Sequence, residues 1–231
     1  MSWLRLMEER IKEMEKTNDA GAVASVDASD AKAATAPAPR KKNRVLHLLG
    51  NLAADIESDR SSLHYAVLST DSLLRQGEEI RQFVKDPDGH ALPPARINED
   101  VRKLLERPNF LAHDATFSNL KSSGNIHLIK DVTLNWLLFS YYSKAENLHR
   151  IQEAEQQATI EVNAAYFLQW FAMDGSDDAP IFRNPGGIKA LAANVQFRNQ
   201  VESRVAKRKE LQSLYTGMDA MAAKLQVLLR Q

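Results

Sequence analysis

The chain of 231 residues contains no cysteine. Disulfide bonds, thiol nucleophiles and thiolate metal sites are therefore excluded. The sequence also has no excess of either charge, because 30 Lys and Arg residues balance 30 Asp and Glu residues. Binding to nucleic acid by counterion release usually requires a basic excess, so we expect no nucleic-acid partner.

Long apolar runs are missing as well. A transmembrane helix needs about 20 predominantly apolar residues in succession, and the sequence has no such run. The first residues carry charges among their apolar positions, which is not the pattern of a secretory signal. We therefore expect no transmembrane segment in this chain, which reads as soluble.

Apolar residues make up 44% of the chain and recur at helical spacing. Steps of three and four residues, as in a coiled coil, cover residues 43–85, 131–173 and 187–231, and no strand pattern appears. The sequence therefore predicts an all-α fold, an antiparallel helix bundle of three long helices plus short helices.

Polar residues and a glycine interrupt the apolar seam of the first long helix, at Asp59, Thr70 and Gly77. A packed bundle tolerates such breaks because neighbouring helices fill around them. Glycine costs about 1 kcal/mol relative to alanine within a helix, which favours a kink or an early end near Gly77. In the last helix Val201 and Val205 fit the apolar stripe poorly, so we expect the stripe to drift there.

Composition divides the chain into three regions. Residues 1–18 predict a tethered amphipathic helix that docks on the body or on another copy. Residues 19–42, rich in Ala, Asp, Ser and Pro, predict a flexible linker, and residues 43–231 predict the bundle domain. The apolar positions of the first region recur at helical spacing: Trp3, Leu4, Met7, Ile11 and Met14.

Shorter elements should connect the long helices. Residues 86–89, Asp-Pro-Asp-Gly, predict a turn. Asn98 resembles the N-cap of a short helix that Pro108 ends. We expect the apolar side chains that follow to plug one end of the bundle: Phe110, Leu111 and Phe117.

The most distinctive stretch is residues 118–144. Its Ser-Ser-Gly-Asn sequence predicts the end of a helical turn and a chain reversal, with Gly124 at positive φ. Three apolar residues, Ile126, Leu128 and Ile129, should then return to the core before Asp131 caps the second long helix. We interpret the stretch as structural, and its motif positions are Leu120, Ser122, Ser123, Gly124, Asn125, Leu128, Ile129, Asp131 and Tyr142.

Residues 120–124 have the sequence Leu-Lys-Ser-Ser-Gly, followed by Leu128-Ile129 and by Tyr142 in the next helix. With this motif the chain resembles an uncharacterised bacterial family. Members of that family have one N-terminal membrane span and an extracytoplasmic helical region. The resemblance covers about residue 44 to the C-terminus and implies a periplasmic, membrane-anchored relative. This chain departs from the pattern, because an amphipathic segment and a linker stand where the span is expected.

No residue set for catalysis, cofactor binding or metal binding emerges. Glu146 and His149 have the spacing of di-iron bundles, but no second copy occurs. Residues 184–187, Asn-Pro-Gly-Gly, lack the ending of a phosphate-binding loop. The basic cluster is interpreted as a solvated face with internal Glu pairs, and comprises Arg198, Arg204, Lys207, Arg208 and Lys209.

Aromatic residues gather on the second long helix, and we expect most of them to lie in the core. The sequence thus favours a non-catalytic helical interaction or sensory-type module that binds a protein partner or a small ligand. The first alternative is a structural scaffold that self-assembles into a homo-oligomer. A metal-dependent helical-bundle enzyme is the second.

Overall fold

A computed structural model describes residues 39–173, 180–182 and 187–230, with side chains described for 46–167 and 189–230. The predicted amphipathic helix of residues 1–18 and most of the predicted linker lie outside the described residues. The elements, in chain order, are α1 (Pro39–Lys85), α2 (Pro94–Leu105), α3 (Ala115–Ser122), a 3₁₀ turn (Asn125–Leu128), α4 (Val132–Ala158), a π-helical turn (Thr159–Ala164), α5 (Ala165–Trp170), β1 (Phe171–Met173), β2 (Pro180–Phe182), α6 (Gly187–Ala193) and α7 (Val195–Leu229).

The long helices confirm the predicted all-α fold. Helix α7 runs antiparallel to α1, because Arg60 of α1 bonds Gln226 late in α7 (2.5 Å), whereas Arg81 meets Glu202 early in α7 (3.7 Å). It runs antiparallel to α4 as well. Residue 152 of α4 bonds residue 215 of α7, and residue 155 bonds residue 204.

Helix starts differ from the sequence expectations. Helix α1 begins at Pro39, within the predicted linker, and α2 begins at Pro94, before the predicted N-cap Asn98. Proline is well tolerated in the first helical turn, where its missing N–H would have had no partner in any case. Helix α1 continues through Gly77 to Lys85, so the expected early end does not occur. The glycine makes room for α7, because a Cβ atom at position 77 would lie only 3.0 Å from the Val205 side chain.

Two predicted long helices are interrupted. The second was expected to reach residue 173, but it ends at Trp170, and β1 pairs antiparallel with β2, with Phe171 opposite Phe182. The last was expected to be continuous from residue 187. Instead α6 ends at Ala193, and the Asn194 side chain caps α7 by accepting a hydrogen bond from the backbone N–H at 197.

The described side chains form two apolar cores. The first core lies among α1, α3, α4 and the C-terminal half of α7, and includes Leu52, Leu63, Leu138 and Met218. The second core lies among the end of α1, α2, α5, α6 and the start of α7, and includes Phe83. Burying these side chains supplies the main driving force for folding, at about 25 cal/mol per Å² of apolar surface. Residues that belong to neither core separate the two on α1, on α7 and between the α4 and α5 contributions.

Two of the three residues that were expected to plug an end of the bundle are buried. Phe110 and Phe117 lie in the first core, whereas Leu111 is 64% exposed, so its inclusion was wrong. Phe110 bonds to Gln152 of α4 on the side of the first core that faces the second, not at an end of the bundle. The predicted turn at residues 86–89 is confirmed, because Gly89 N–H donates to the Asp86 carboxylate at 3.0 Å.

Asp100 of α2 is a fully buried carboxylate. Its nearest cation is Arg96, whose Nε lies 3.3 Å from one carboxylate oxygen, and neither oxygen has a hydrogen-bond partner among the described residues. Burial raises the pKa of Asp100 to about 6, although the Arg96 charge acts in the opposite direction. Folding therefore favours the protonated acid.

We expect Asp100→Asn to remove a pH dependence of stability. Since the folded pKa is raised above its unfolded value of 3.8, the contribution of Asp100 is most favourable below pH 4 and is lost as pH rises through about 6. The variant should exceed wild type in unfolding free energy by about 1–2 kcal/mol at pH 8 and match it at pH 4. Urea titrations at both pH values measure this. Glu99→Gln, at the exposed neighbour, is the control, and an equal gain for Asp100→Asn at both pH values would contradict the assignment.

Candidate functional site

A layer of buried polar side chains lies between the two apolar cores. On α4 and the π-helical turn its members follow one another at steps of three and four residues: Gln152, Glu155, Thr159 and Asn163. On α7 its members are Arg204 and Arg208. Buried polar groups need hydrogen-bond partners, so this layer is organised by the groups that it satisfies.

Gln152 fixes the loop between α2 and α3. Its amide accepts a hydrogen bond from Phe110 N–H and donates one to Phe110 C=O, both at 2.8 Å. The Tyr215 hydroxyl of α7 lies 2.8 Å from the same amide oxygen and 3.0 Å from the Pro108 carbonyl. Burial raises the pKa of Tyr215, so the hydroxyl stays a neutral donor. The backbone groups of this loop are thus hydrogen-bonded to side chains of α4 and α7, where the same groups on the surface would bond to water.

Asp59 fixes the other end of this loop. The carboxylate, fully buried in α1, accepts hydrogen bonds from His113 N–H and the Tyr141 hydroxyl, both at 2.8 Å. The His113 ring Nδ1 lies 2.7 Å from the same carboxylate. Burial, with a further effect of Asp59, raises the pKa of Tyr141. The predicted seam break at Asp59 is therefore a polar anchor.

Two arginines of α7 cap the end of α2. Arg204 Nε donates to Leu104 C=O at 2.8 Å, and Arg208 donates to the Lys103 and Glu106 carbonyls, the latter at 3.0 Å. The last carbonyls of a helix carry partial negative charge and lack partners within the helix. The guanidinium groups satisfy them inside the protein.

Arg204 also forms a buried ion pair. Its Nη1 donates to the Glu155 carboxylate and to the Thr159 hydroxyl, the latter at 2.8 Å. Burial lowers the pKa of Arg204, and Glu155 opposes that effect. Burial and the neighbouring Arg204 charge lower the pKa of Arg208 to about 9. The polar layer therefore contains two guanidinium groups and one carboxylate, that of Glu155, so positive charge is in excess.

A groove opens beside this layer, between α4 with its π-helical turn and α7. Its volume is about 570 Å³, and we call it the α4–α7 groove. Its floor includes Glu155 and Arg204. Its wall on the α4 side is apolar and consists of Ile151, Ala154, Ala158 and Val162. Leu211 of α7 is a further apolar residue of the lining.

The helical positions of the polar and apolar residues explain where the groove wall lies. The wall positions 151, 154, 158 and 162 precede the polar positions 152, 155, 159 and 163 by one residue, which is a rotation of about 100° on a helix. The helix therefore turns its polar side toward the protein interior and its apolar side toward the groove. Val162 is 54% exposed as a result. Single π-helical turns occur frequently at functional sites.

The sequence motif at residues 118–144 has the structural role that was predicted. Ser122 and Ser123 donate to the Asn119 carbonyl at 3.2 and 2.6 Å, and Asn125 donates to Ser123 Oγ at 2.7 Å. Gly124 has φ of 69°, as predicted. These bonds end α3 and reverse the chain.

The remaining motif positions pack or cap. Leu120 and Ile129 are buried, whereas Leu128 is half-buried and does not reach the core as expected. Asp131 caps α4 by accepting a hydrogen bond from the N–H three residues on, at 2.9 Å. Tyr142 donates to the carbonyl of residue 113 at 3.1 Å and stacks on an α3 phenyl ring. None of these side chains lines the α4–α7 groove.

The basic cluster is a solvated face only in part, because Arg198, Lys207 and Lys209 are exposed as predicted, whereas the other two arginines are not. Arg204 and Arg208 are buried, because the neighbouring α2 carbonyls and Glu155 accept their hydrogen bonds. Lys207 and Lys209 are exposed and pair with Glu210 and Glu78 at 2.8 and 2.7 Å.

The other predicted candidates are not brought together with the groove. Glu146 and His149 form separate exposed pairs, with Arg150 at 3.9 Å and Glu153 at 3.3 Å. His127 contacts the Gly124 carbonyl. Residues 184–186 of the Asn-Pro-Gly-Gly sequence lie outside the described residues.

Ser58, His113 and Asp59 have the connectivity of a nucleophile, base and orienting acid. Ser58 Oγ lies 3.5 Å from His113 Nε2, and Asp59 lies on the other side of the ring. Ser58 is exposed within α1, where backbone N–H groups are committed to the helix and cannot form an oxyanion hole. The arrangement therefore orients the His113 loop and does not form an active site.

Sequence reasoning missed the groove because it assigned Ile151, Ala158 and Val162 to the buried stripe of the second helix. A signal was present. Between Val201 and Leu211 of α7, Arg204 and Arg208 are buried and keep the spacing of three and four residues. The buried face of α7 is therefore continuous, and the drift that was expected there does not occur. Charged residues at regular core positions indicate buried polar contacts.

Among the described residues, no group of three or more His, Cys, Asp and Glu side chains is placed to hold a metal ion. The described helices include none that is long and apolar enough to cross a bilayer. The chain matches no protein-family model, no curated protein and no solved structure.

We expect Gln152→Leu to reduce the unfolding free energy by about 2–4 kcal/mol. The substitution leaves both backbone groups of Phe110 without their buried partner, whereas the Tyr215 hydroxyl keeps the Pro108 carbonyl as an acceptor. Gln156→Leu, at an exposed position one turn further along α4, is the matched control and should change stability by less than about 0.5 kcal/mol. Equal unfolding midpoints in urea for the two variants would show that Gln152 does not anchor the loop.

Proposed function

We propose that this protein is a non-catalytic helical binding module whose α4–α7 groove holds a small ligand with an apolar portion. The observation that carries the proposal is the exposed apolar wall above a buried ion pair. Soluble proteins rarely leave adjacent apolar side chains on the surface without a role in binding.

The dimensions of the groove favour a small ligand. Its volume of about 570 Å³ falls within the range of about 300–1,000 Å³ that is typical of ligand pockets. Its lining has the composition of such sites as well, since apolar side chains surround a few fixed polar groups.

Blocking the groove tests this proposal. We expect Ala158→Trp, at an exposed wall position, to weaken binding of the neutral apolar dye Nile red at least tenfold, because the indole occupies the groove. Gln156→Trp, exposed on the same helix but outside the groove, is the matched control and should bind like wild type. Fluorescence titration measures both. Unchanged binding to Ala158→Trp, or no binding to wild type, would count against the groove as a ligand site.

A second surface supports the alternative of self-association. Val132, Trp136 and Phe139 recur at steps of four and three residues along α4 and are 81%, 69% and 45% exposed. Large exposed side chains on one helical face are typical of contacts between proteins. This surface lies on the first half of α4, whereas the groove lies on the second half.

We expect Trp136→Gln to lower the association constant of a homo-oligomer, because the indole is the largest apolar group of this surface. Sedimentation velocity over a range of protein concentrations measures the change. Glu146→Gln, exposed on the same helix, serves as the control. An identical concentration dependence for wild type and Trp136→Gln would exclude this surface from self-association.

A further inference from the structure

The floor of the α4–α7 groove contains buried polar atoms without partners. Arg204 is 2% exposed and Glu155 is 7% exposed. Arg204 Nη2 and Glu155 Oε2 have no hydrogen-bond partner among the described residues. Such atoms cost free energy when they are buried, unless a bound group or water completes their hydrogen bonds.

Positive charge exceeds negative charge at this floor. Three guanidinium groups, those of Arg107, Arg204 and Arg208, act on the Glu155 carboxylate. The nearby Glu106 carboxylate bonds to side chains of α2 instead, at 2.5 and 2.9 Å. An anion that reached the floor would therefore meet a net positive field in a site shielded from water, where charge interactions are strong.

The apolar wall extends to both sides of this floor. From Ile151 to Val162 it covers about 16 Å along the helix axis, and Glu155 lies between these two positions. Its longer arm runs from Glu155 to Val162, about 10 Å. The α7 side adds the polar residues Asn199, Gln200 and Ser203, together with Lys207 and Glu210, whose charges pair with each other at 2.8 Å.

We propose that the α4–α7 groove binds an anionic amphiphile of the medium-chain carboxylate class. The carboxylate accepts a hydrogen bond from Arg204 Nη2, and the hydrocarbon chain lies against the arm of the wall that contains Ala158 and Val162. This inference rests on the proposed function, because it names the ligand class of the same groove.

The net charge of the floor decides between classes of head group. A cationic head would be attracted only by Glu155, which is already paired with Arg204. A neutral hydroxyl could bond to both residues but would leave the excess of guanidinium charge uncompensated. A carboxylate compensates part of that excess, and arginine is a preferred partner of carboxylates.

Displacement of Nile red from the wild-type full chain tests the inference. Decanoate, decanol and decyltrimethylammonium share one chain length and differ in head-group charge, and each is titrated below its micellar concentration. We expect decanoate to displace half of the dye at a concentration at least tenfold lower than either of the others. In Ala158→Trp the indole occupies the groove, so none of the three ligands should displace Nile red from it.

Each contrary outcome has a distinct meaning. Equal displacement by decanoate and decanol, or preferential displacement by the cation, would overturn the anionic class and leave the groove as an apolar ligand site. Stronger displacement by a synthetic peptide of residues 3–17 than by decanoate would identify a helical occupant and also overturn the inference. If wild type binds no Nile red, the proposed function fails before the head group is considered.

Discussion

The Arg204 guanidinium makes the contact on which this structure most depends. It links three parts of the fold at once, since it donates to the end of α2, to the Glu155 carboxylate of α4 and to the Thr159 hydroxyl where the π-helical turn begins. A buried arginine is costly unless several acceptors surround it. The acceptors here come from different helices, so that the desolvated charge fixes how the helices meet between the two apolar cores.

The same requirement shapes the loop between α2 and α3. Because this loop passes between helices, its backbone groups need protein partners, which Gln152, Tyr215 and Asp59 provide. Turning Gln152 and Glu155 inward necessarily turns Ile151 and Ala158 outward. The groove is therefore a consequence of satisfying polar groups in the interior, and its apolar wall is the adjacent face of the same helix, about 100° around its axis.

Much of the fold follows from the sequence alone. Apolar steps of three and four residues predicted the long helices, and local chemistry predicted the turn at Gly124 and the cap at Asp131, because such features depend on neighbouring residues only. The strands after Trp170 were not predicted, since they depend on pairing between separate segments. The cap at Asn194 is as local as that at Asp131, but apolar residues at helical spacing on both sides of it favoured one continuous helix. The resemblance to the family with an N-terminal membrane span stays a prediction.

The candidate site was harder to predict than the fold. Asp59 and Arg204 occupy positions where the helical pattern calls for apolar side chains, and the sequence does not identify the distant groups that satisfy them. Pairs such as Asp59 with Tyr141, or Arg204 with Leu104 C=O, connect residues far apart in the chain. Periodicity locates buried faces, but it does not distinguish a polar layer between two cores from an interruption of one core.

A crystal structure with 10-bromodecanoate would test most directly that the groove at the polar layer is a binding site for anionic amphiphiles. The anomalous signal of bromine locates the chain end, and the electron density locates the carboxylate. The account predicts bromine beside Val162, with the carboxylate at Arg204 Nη2. Bromine at the Trp136 surface with an unoccupied groove, or a reversed ligand with its carboxylate in solvent, would contradict it.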